Sequence, residues 1–174
     1  MNPSWSSLTA DRVIGVDPGL SATGVAVLEC DETGRCRALH IGTIHPSRRL
    51  EPAQKLRHLC QEIQTLIRLH RPACLAVEET FYHKNVKSAL ALGQARGAAM
   101  VAAAECGVGV MELSAKTVKQ AAVGSGGAAK EQVAAMITAI LGLSEVPASM
   151  DACDAAAVAL AALHRRALPE AVRP

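Results

Sequence analysis

Arg12-Val13-Ile14-Gly15-Val16-Asp17-Pro18-Gly19 is the stretch on which the fold turns. Arg12–Val16 is β-branched and buried in character, which predicts a core strand. Asp17 ends the run and enters a Pro-Gly turn, so a sheet fixes the backbone that carries its carboxylate. Outward from there, Thr23–Leu28 alternates, and Arg37–Ile44 follows a Thr33-Gly34 turn signal. These three runs predict an antiparallel meander.

Pro52 opens a helix, and Leu56, Leu59, Ile63, Leu66 and Ile67 recur at helical spacing until Pro72. Cys74–Val77 is a short buried strand running into Glu78. A long helix of small residues is expected over Asn85–Cys106 and a strand over Gly107–Leu113. Ser114 caps a helix to about Ala122, Val133, Met136, Ile137, Ile140 and Leu141 mark the next, and Ser149 caps a last one to about Leu168. Three strands followed by alternating helices and strands predict an α/β fold. Its mixed central sheet should hold about five strands, with helices on both faces.

The chain has 174 residues, the size of one domain. The expected division is a flexible leader over 1–11, a single folded domain over 12–168 and a short tail over 169–174. Half of the residues are hydrophobic but only 2% are aromatic, namely Trp5, Phe81 and Tyr82. Packing therefore falls to Ala, Val, Leu, Ile and Met. Six cysteines show no CxxC pair and no regular spacing, which reads as reduced thiols in a cytoplasmic protein. No apolar run is long enough for a membrane span. The net charge of +2 is too mild to argue for nucleic acid by itself; the distribution of charge decides.

Four carboxylates carry the chemistry. Asp17 and Glu78 each close a core strand. Side chains alternate along a strand, so of Glu78 and Glu79 only one shares a site with Asp17. Asp151 and Asp154 are three apart at a helix start and lie on one face. Each has a structural alternative: Asp before Pro-Gly forms turns, and first-turn acids complement a helix dipole. If the four converge, their repulsion calls for cations, and hard oxygen donors suit Mg²⁺ or Mn²⁺ better than zinc.

Taken in order, the motifs resemble the RuvC family of Holliday-junction resolvases in the ribonuclease H-like superfamily. The matching stretches are Ile14-Gly15-Val16-Asp17-Pro18-Gly19 with Thr23-Gly24, Ala76-Val77-Glu78-Glu79, Lys84-Asn85, Leu92-Gly93-Gln94-Ala95-Arg96-Gly97, Lys130-Glu131-Gln132-Val133 and Asp151-Ala152-Cys153-Asp154-Ala155. The likeness implies a structure-selective endonuclease for four-way DNA junctions, acting in recombination and repair. Asp17, Glu78, Asp151 and Asp154 would be catalytic residues and ligands to two ions of Mg²⁺ or Mn²⁺. Hydrolysis would leave 5′-phosphate and 3′-hydroxyl ends. It further implies stacking of Phe81 on an unpaired base, phosphate contacts from Lys119 and Lys130, a homodimer, and work beside a RuvA–RuvB branch-migration motor.

Tyr82, Lys84, Lys87, Arg96 and Lys116 complete the expected DNA-binding set, being the remaining aromatic and basic groups in matching segments. Gly124-Ser125-Gly126-Gly127 offers backbone N–H groups to a phosphate, but Ala129-Lys130-Glu131 lacks the Gly-Lys-Ser/Thr of an ATP loop, so no nucleotide cofactor is expected. The Asn85–Cys106 helix is apolar nearly all round, and a second copy of the chain is the expected cover. A RuvC-like nuclease that processes structured RNA is the nearest alternative reading.

Overall fold

The Val13-Ile14-Gly15-Val16 run becomes the centre of the sheet. In the computed structural model, which describes residues 10–79 and 86–167, β1 (Ala10–Asp17), β2 (Thr23–Asp31) and β3 (Cys36–Ile44) form the antiparallel meander. Then come α1 (Pro52–His70), β4 (Cys74–Glu78), α2 (Val86–Glu105) and β5 (Gly109–Leu113). The chain continues through α3 (Ala115–Val123), α4 (Lys130–Ile140) and α5 (Met150–Ala167). The strand order is β3-β2-β1-β4-β5, with β4 parallel to β1 and β5 parallel to β4. The expected mixed five-stranded α/β sheet is the one found.

Alternation along the strands splits the core in two. Ile14, Val16, Leu75 and Val77 meet Leu59, Ile63 and Ile67 of α1 and the alanines of α2 on one face. Val13, Ala26, Leu28 and Ala76 meet α3, α4 and α5 on the other. From Ala152 to Leu163 every residue of helix α5 except Asp154 is buried, pressed between the sheet and the two shorter helices. Two glycines make that seat possible. A Cβ on Gly15 would lie 2.2 Å from the Ala155 carbonyl oxygen, and one on Gly24 would lie 1.8 Å from that of Asp151. Alanines on the helix and glycines under it let the backbones approach, which explains a core with so few aromatics.

Three expectations need correction. The first strand starts at Ala10 and not at Arg12: Asp11 pairs with Cys30 of β2, and its carboxylate accepts from Arg166 Nε at 2.5 Å. Cys30 and Cys36 are joined in a disulfide instead of standing reduced. The hairpin turn sets them on one cross-strand rung with Cα atoms 4.1 Å apart, a pairing that depends on register and not on CxxC spacing. Helix α2 ends at Glu105 and β5 begins at Gly109, because Gly107 adopts a positive φ of 69° between them. The rest of the leader, the 169–174 tail and the 80–85 segment lie outside the described residues. Among the described residues no helix is long and apolar enough to cross a membrane.

Candidate active site

Asp17 leaves β1 at the end where β4 also finishes, and parallel pairing of Val16 with Val77 sets Glu78 beside it. The turn after Asp17 is closed by buried Thr23. Its hydroxyl donates to the Gly19 carbonyl at 2.6 Å, and the Gly19 N–H donates back to Thr23 Oγ1 at 3.1 Å. Helix α5 starts over the same strand ends, so its first turn carries Asp151 and Asp154 to the place where β1 and β4 stop.

Asp17, Glu78 and Asp154 line one cavity of about 560 Å³, together with Glu79, Lys119 and Lys130. Asp151 is not among the lining residues, yet its charge reaches Asp17. Burial, then the charges of Asp154 and Asp151, push the Asp17 carboxyl up to about 7 against the pull of Lys130. Glu78 is also raised, first by burial and then by Asp154, while Lys130 and Lys119 pull it down. Lys130 Nζ donates to Asp154 Oδ2 at 2.6 Å, and that bond raises the lysine above its ordinary value. An ammonium thus stands on the carboxylate cluster as a counter-charge.

Donor chemistry fits a hard divalent cation: every acidic group here offers oxygen, and burial, with like charge beside it, keeps Asp17 from ionising freely near neutrality. As the side chains stand, no three acidic, His or Cys groups among the described residues are close enough to hold one ion. Asp154 turns to Lys130 instead. Were Asp154 to hold a metal, its carboxylate would have to leave the Lys130 ammonium.

The remaining expected residues divide sharply. Lys119 and Lys130 reach the cavity. Lys87 and Lys116 are exposed in the first turns of α2 and α3, at the same end of the sheet. The aliphatic part of Lys116 also covers Gly126, whose added Cβ would come within 2.8 Å of Lys116 Cγ. Arg96 is not a free cation: it is paired with Glu112 across α2 and β5, and its Nε is buried. Phe81, Tyr82 and Lys84 lie outside the described residues. Glu79 also lines the cavity, contrary to strict alternation: it is the first residue past β4, and its N–H still donates to the Leu113 carbonyl of β5 at 2.8 Å.

A carboxylate cluster at the end of a mixed sheet, with β4 beside β1 and a helix closing over both, defines a nuclease with a ribonuclease H-like fold. The family model for crossover junction endodeoxyribonuclease RuvC matches residues 13–162. The chain is 42% identical to the RuvC of Koribacter versatilis over 156 residues, covering 90% of this chain and 94% of that one. It is 46% identical to that of Pelobacter propionicus over 155 residues, covering 88% and 86%. Among solved structures, Thermus thermophilus RuvC in complex with a Holliday junction substrate superposes with a TM-score of 0.84 at 36% identity, over 90% of this chain and 95% of that one. The yeast mitochondrial resolvase Ydc2 shares the fold, with a TM-score of 0.64 at 15% identity over 87% and 77%. The chain belongs to the RuvC family of crossover junction endodeoxyribonucleases, enzymes that depend on a divalent metal.

Proposed function

We propose that Asp17, Glu78, Asp151 and Asp154 together hold two ions of Mg²⁺ or Mn²⁺ and cut a four-way DNA junction by paired hydrolysis, leaving 5′-phosphate and 3′-hydroxyl ends. The observation that carries this reading is the gathering of Asp17, Glu78 and Asp154 on one cavity, with Asp151 near enough for its charge to act on Asp17. A protein rarely maintains such like-charge crowding in a cavity without a use for it. When bound, the ions supply activation of the attacking water and neutralisation of the leaving oxygen. Asp17 and Glu78 hang from adjacent strands, and Asp151 and Asp154 from a helix seated on them, so the donors are held by rigid elements.

Lys130 and Lys119 place positive charge at the cavity, where they attract the phosphate and, in Lys130's case, release Asp154 as metal arrives. Lys87 and Lys116 extend the positive border outward. Phe81, Tyr82 and Lys84 follow Glu78 closely in sequence and are assigned to an opened base and its backbone. Arg96, by its pairing with Glu112, acts on DNA only through the seating of α2.

The homodimer is part of the proposal. Val86, Leu90 and Val101 of α2 are 73%, 64% and 50% exposed, an apolar surface that a second copy would cover. Two cavities in a symmetric pair would then nick two strands of one junction. A cytoplasmic location and a RuvA–RuvB partnership complete the reading; the first rests on the DNA substrate, the second on the family alone.

The test is incubation of purified protein with a synthetic mobile four-way junction in Mg²⁺, in Mn²⁺ or in chelator. Paired, ligatable nicks should appear with either metal and vanish with chelator. Asp17→Asn should bind the junction and leave it whole; normal cutting by that variant would remove Asp17 from the mechanism.

A further inference from the structure

The turn between β3 and α1 carries positive charge that the carboxylate site does not use. Ser47-Arg48-Arg49-Leu50 folds back on itself: the Leu50 N–H donates to the Ser47 carbonyl at 3.1 Å, and the Arg49 N–H donates to Ser47 Oγ at 3.4 Å. Pro46 is buried behind it, while Arg48 and Arg49 at the tip are both exposed. Lys55 follows in the first turn of α1, one turn before buried Leu59, and helical side chains lean toward the N-terminus. Arg48, Arg49 and Lys55 take part in no ion pair among the described residues. Glu51 is the only acid between His45 and His58.

The sheet register places this turn. Asp17 pairs with Gly24, and Gly24 pairs with Thr43, so the three residues form one rung. Strands lie about 4.8 Å apart, which puts Thr43 roughly 10 Å from Asp17. Five residues beyond Thr43 the chain presents Arg48, at the same end of the sheet as the carboxylates. One turn of DNA duplex spans about 34 Å, so a strand held at Asp17 stays within a helical turn of these arginines. Cations fixed on a short hydrogen-bonded turn lose little freedom on meeting phosphate, and Arg is suited to contact phosphate with two N–H groups at once.

We infer that Arg48 and Arg49, backed by Lys55, form a second phosphate-binding surface that holds one duplex arm of the DNA substrate beside the cutting site. This inference rests on the junction-cutting reading above and names where an arm lies. The surface is assigned to phosphates along the duplex arm; it contributes affinity and arm orientation. Sequence patterns hid it because Arg48-Arg49 sits between a strand and a helix, outside every motif that carries chemistry.

The experiment measures junction binding without metal as a function of salt, for the wild type, Arg48→Ala/Arg49→Ala and a control pair at the far end, Arg68→Ala/Arg71→Asn. Asn suits position 71, where φ is 50°. Losing two phosphate contacts should flatten the slope of log K against log salt by about 1.8 and weaken binding about tenfold at 0.1 M salt. Arg48→Lys/Arg49→Lys should restore the slope, and the control pair should match the wild type. The inference is overturned if Arg48→Ala/Arg49→Ala keeps the wild-type affinity and slope, or if the control pair loses as much. Failure of the junction reading looks different: the wild type itself would then neither prefer nor cut a junction.

Discussion

Both ends of β1 carry acids, and the two ends treat them in opposite ways. At the far end, Glu29 is only 6% exposed, yet its carboxyl is held below the usual range because Arg12 and Arg37 both donate to it, at 2.6 and 2.7 Å. Asp11 next to it accepts from Arg166. At the near end, Asp17 has other acids for neighbours and is pushed up to about 7. Burial acts in the same direction on Glu29 and Asp17; the supply of partners differs. An acid given guanidinium partners ties elements together. An acid left among acids, with Lys130 bonded to one of them, has the surroundings that our proposal assigns to a metal ligand.

If that contrast is right, substitutions at the two ends should separate activity from stability. The largest effect is expected at Asp17→Asn: metal-dependent cleavage should fall by at least about 10³-fold while junction affinity changes less than about threefold, measured by single-turnover cleavage and gel shift. The next is a pH effect on the metal-free protein. Because the folded carboxyl of Asp17 is raised, its contribution to stability is full below about pH 4 and is lost as pH rises through about 7. The ceiling is roughly 4 kcal/mol. Asp17→Asn should therefore gain melting temperature relative to the wild type between pH 5 and 8, and the two should converge at low pH.

Gly24→Ala sharpens the contrast from the geometric side. A methyl group 1.8 Å from the Asp151 carbonyl must displace the start of α5. The expected cost is about 1–3 kcal/mol in chemical denaturation, with cleavage reduced about tenfold or more because Asp151 and Asp154 move off Asp17. Smallest is Glu29→Gln: about 1–2 kcal/mol of stability lost, with single-turnover cleavage by the folded protein as in the wild type. A cleavage defect there matching that of Asp17→Asn would dissolve the distinction between the ends.

Much of this was legible in the letters for a physical reason. Val13–Val16 and Cys74–Val77 read as buried strands, and Ile63 with Ile67 as one buried helix face, because local patterns of apolar residues report burial. Asp17, Glu78 and Asp154 were placed by the ends of those elements. What stayed hidden depended on partners far along the chain. Arg96 reads as a free basic group until β5 supplies Glu112, and Cys30 reads as a lone thiol until the hairpin register supplies Cys36. The Lys130 contact to Asp154 spans 24 positions and has no local pattern. Gly24 carries the seat of α5, yet a glycine in a strand says nothing of which backbone lies above it.

Divalent-metal binding measured without DNA goes straight to the heart of the matter. Calorimetric titration of Mn²⁺ into the wild type and into Asp17→Asn, Glu78→Gln, Asp151→Asn and Asp154→Asn should show binding in the first and a loss of about tenfold or more in each of the others. A set of variants that all bind Mn²⁺ as the wild type does would mean that these carboxylates, though gathered at one end of the sheet, do not serve a common ion.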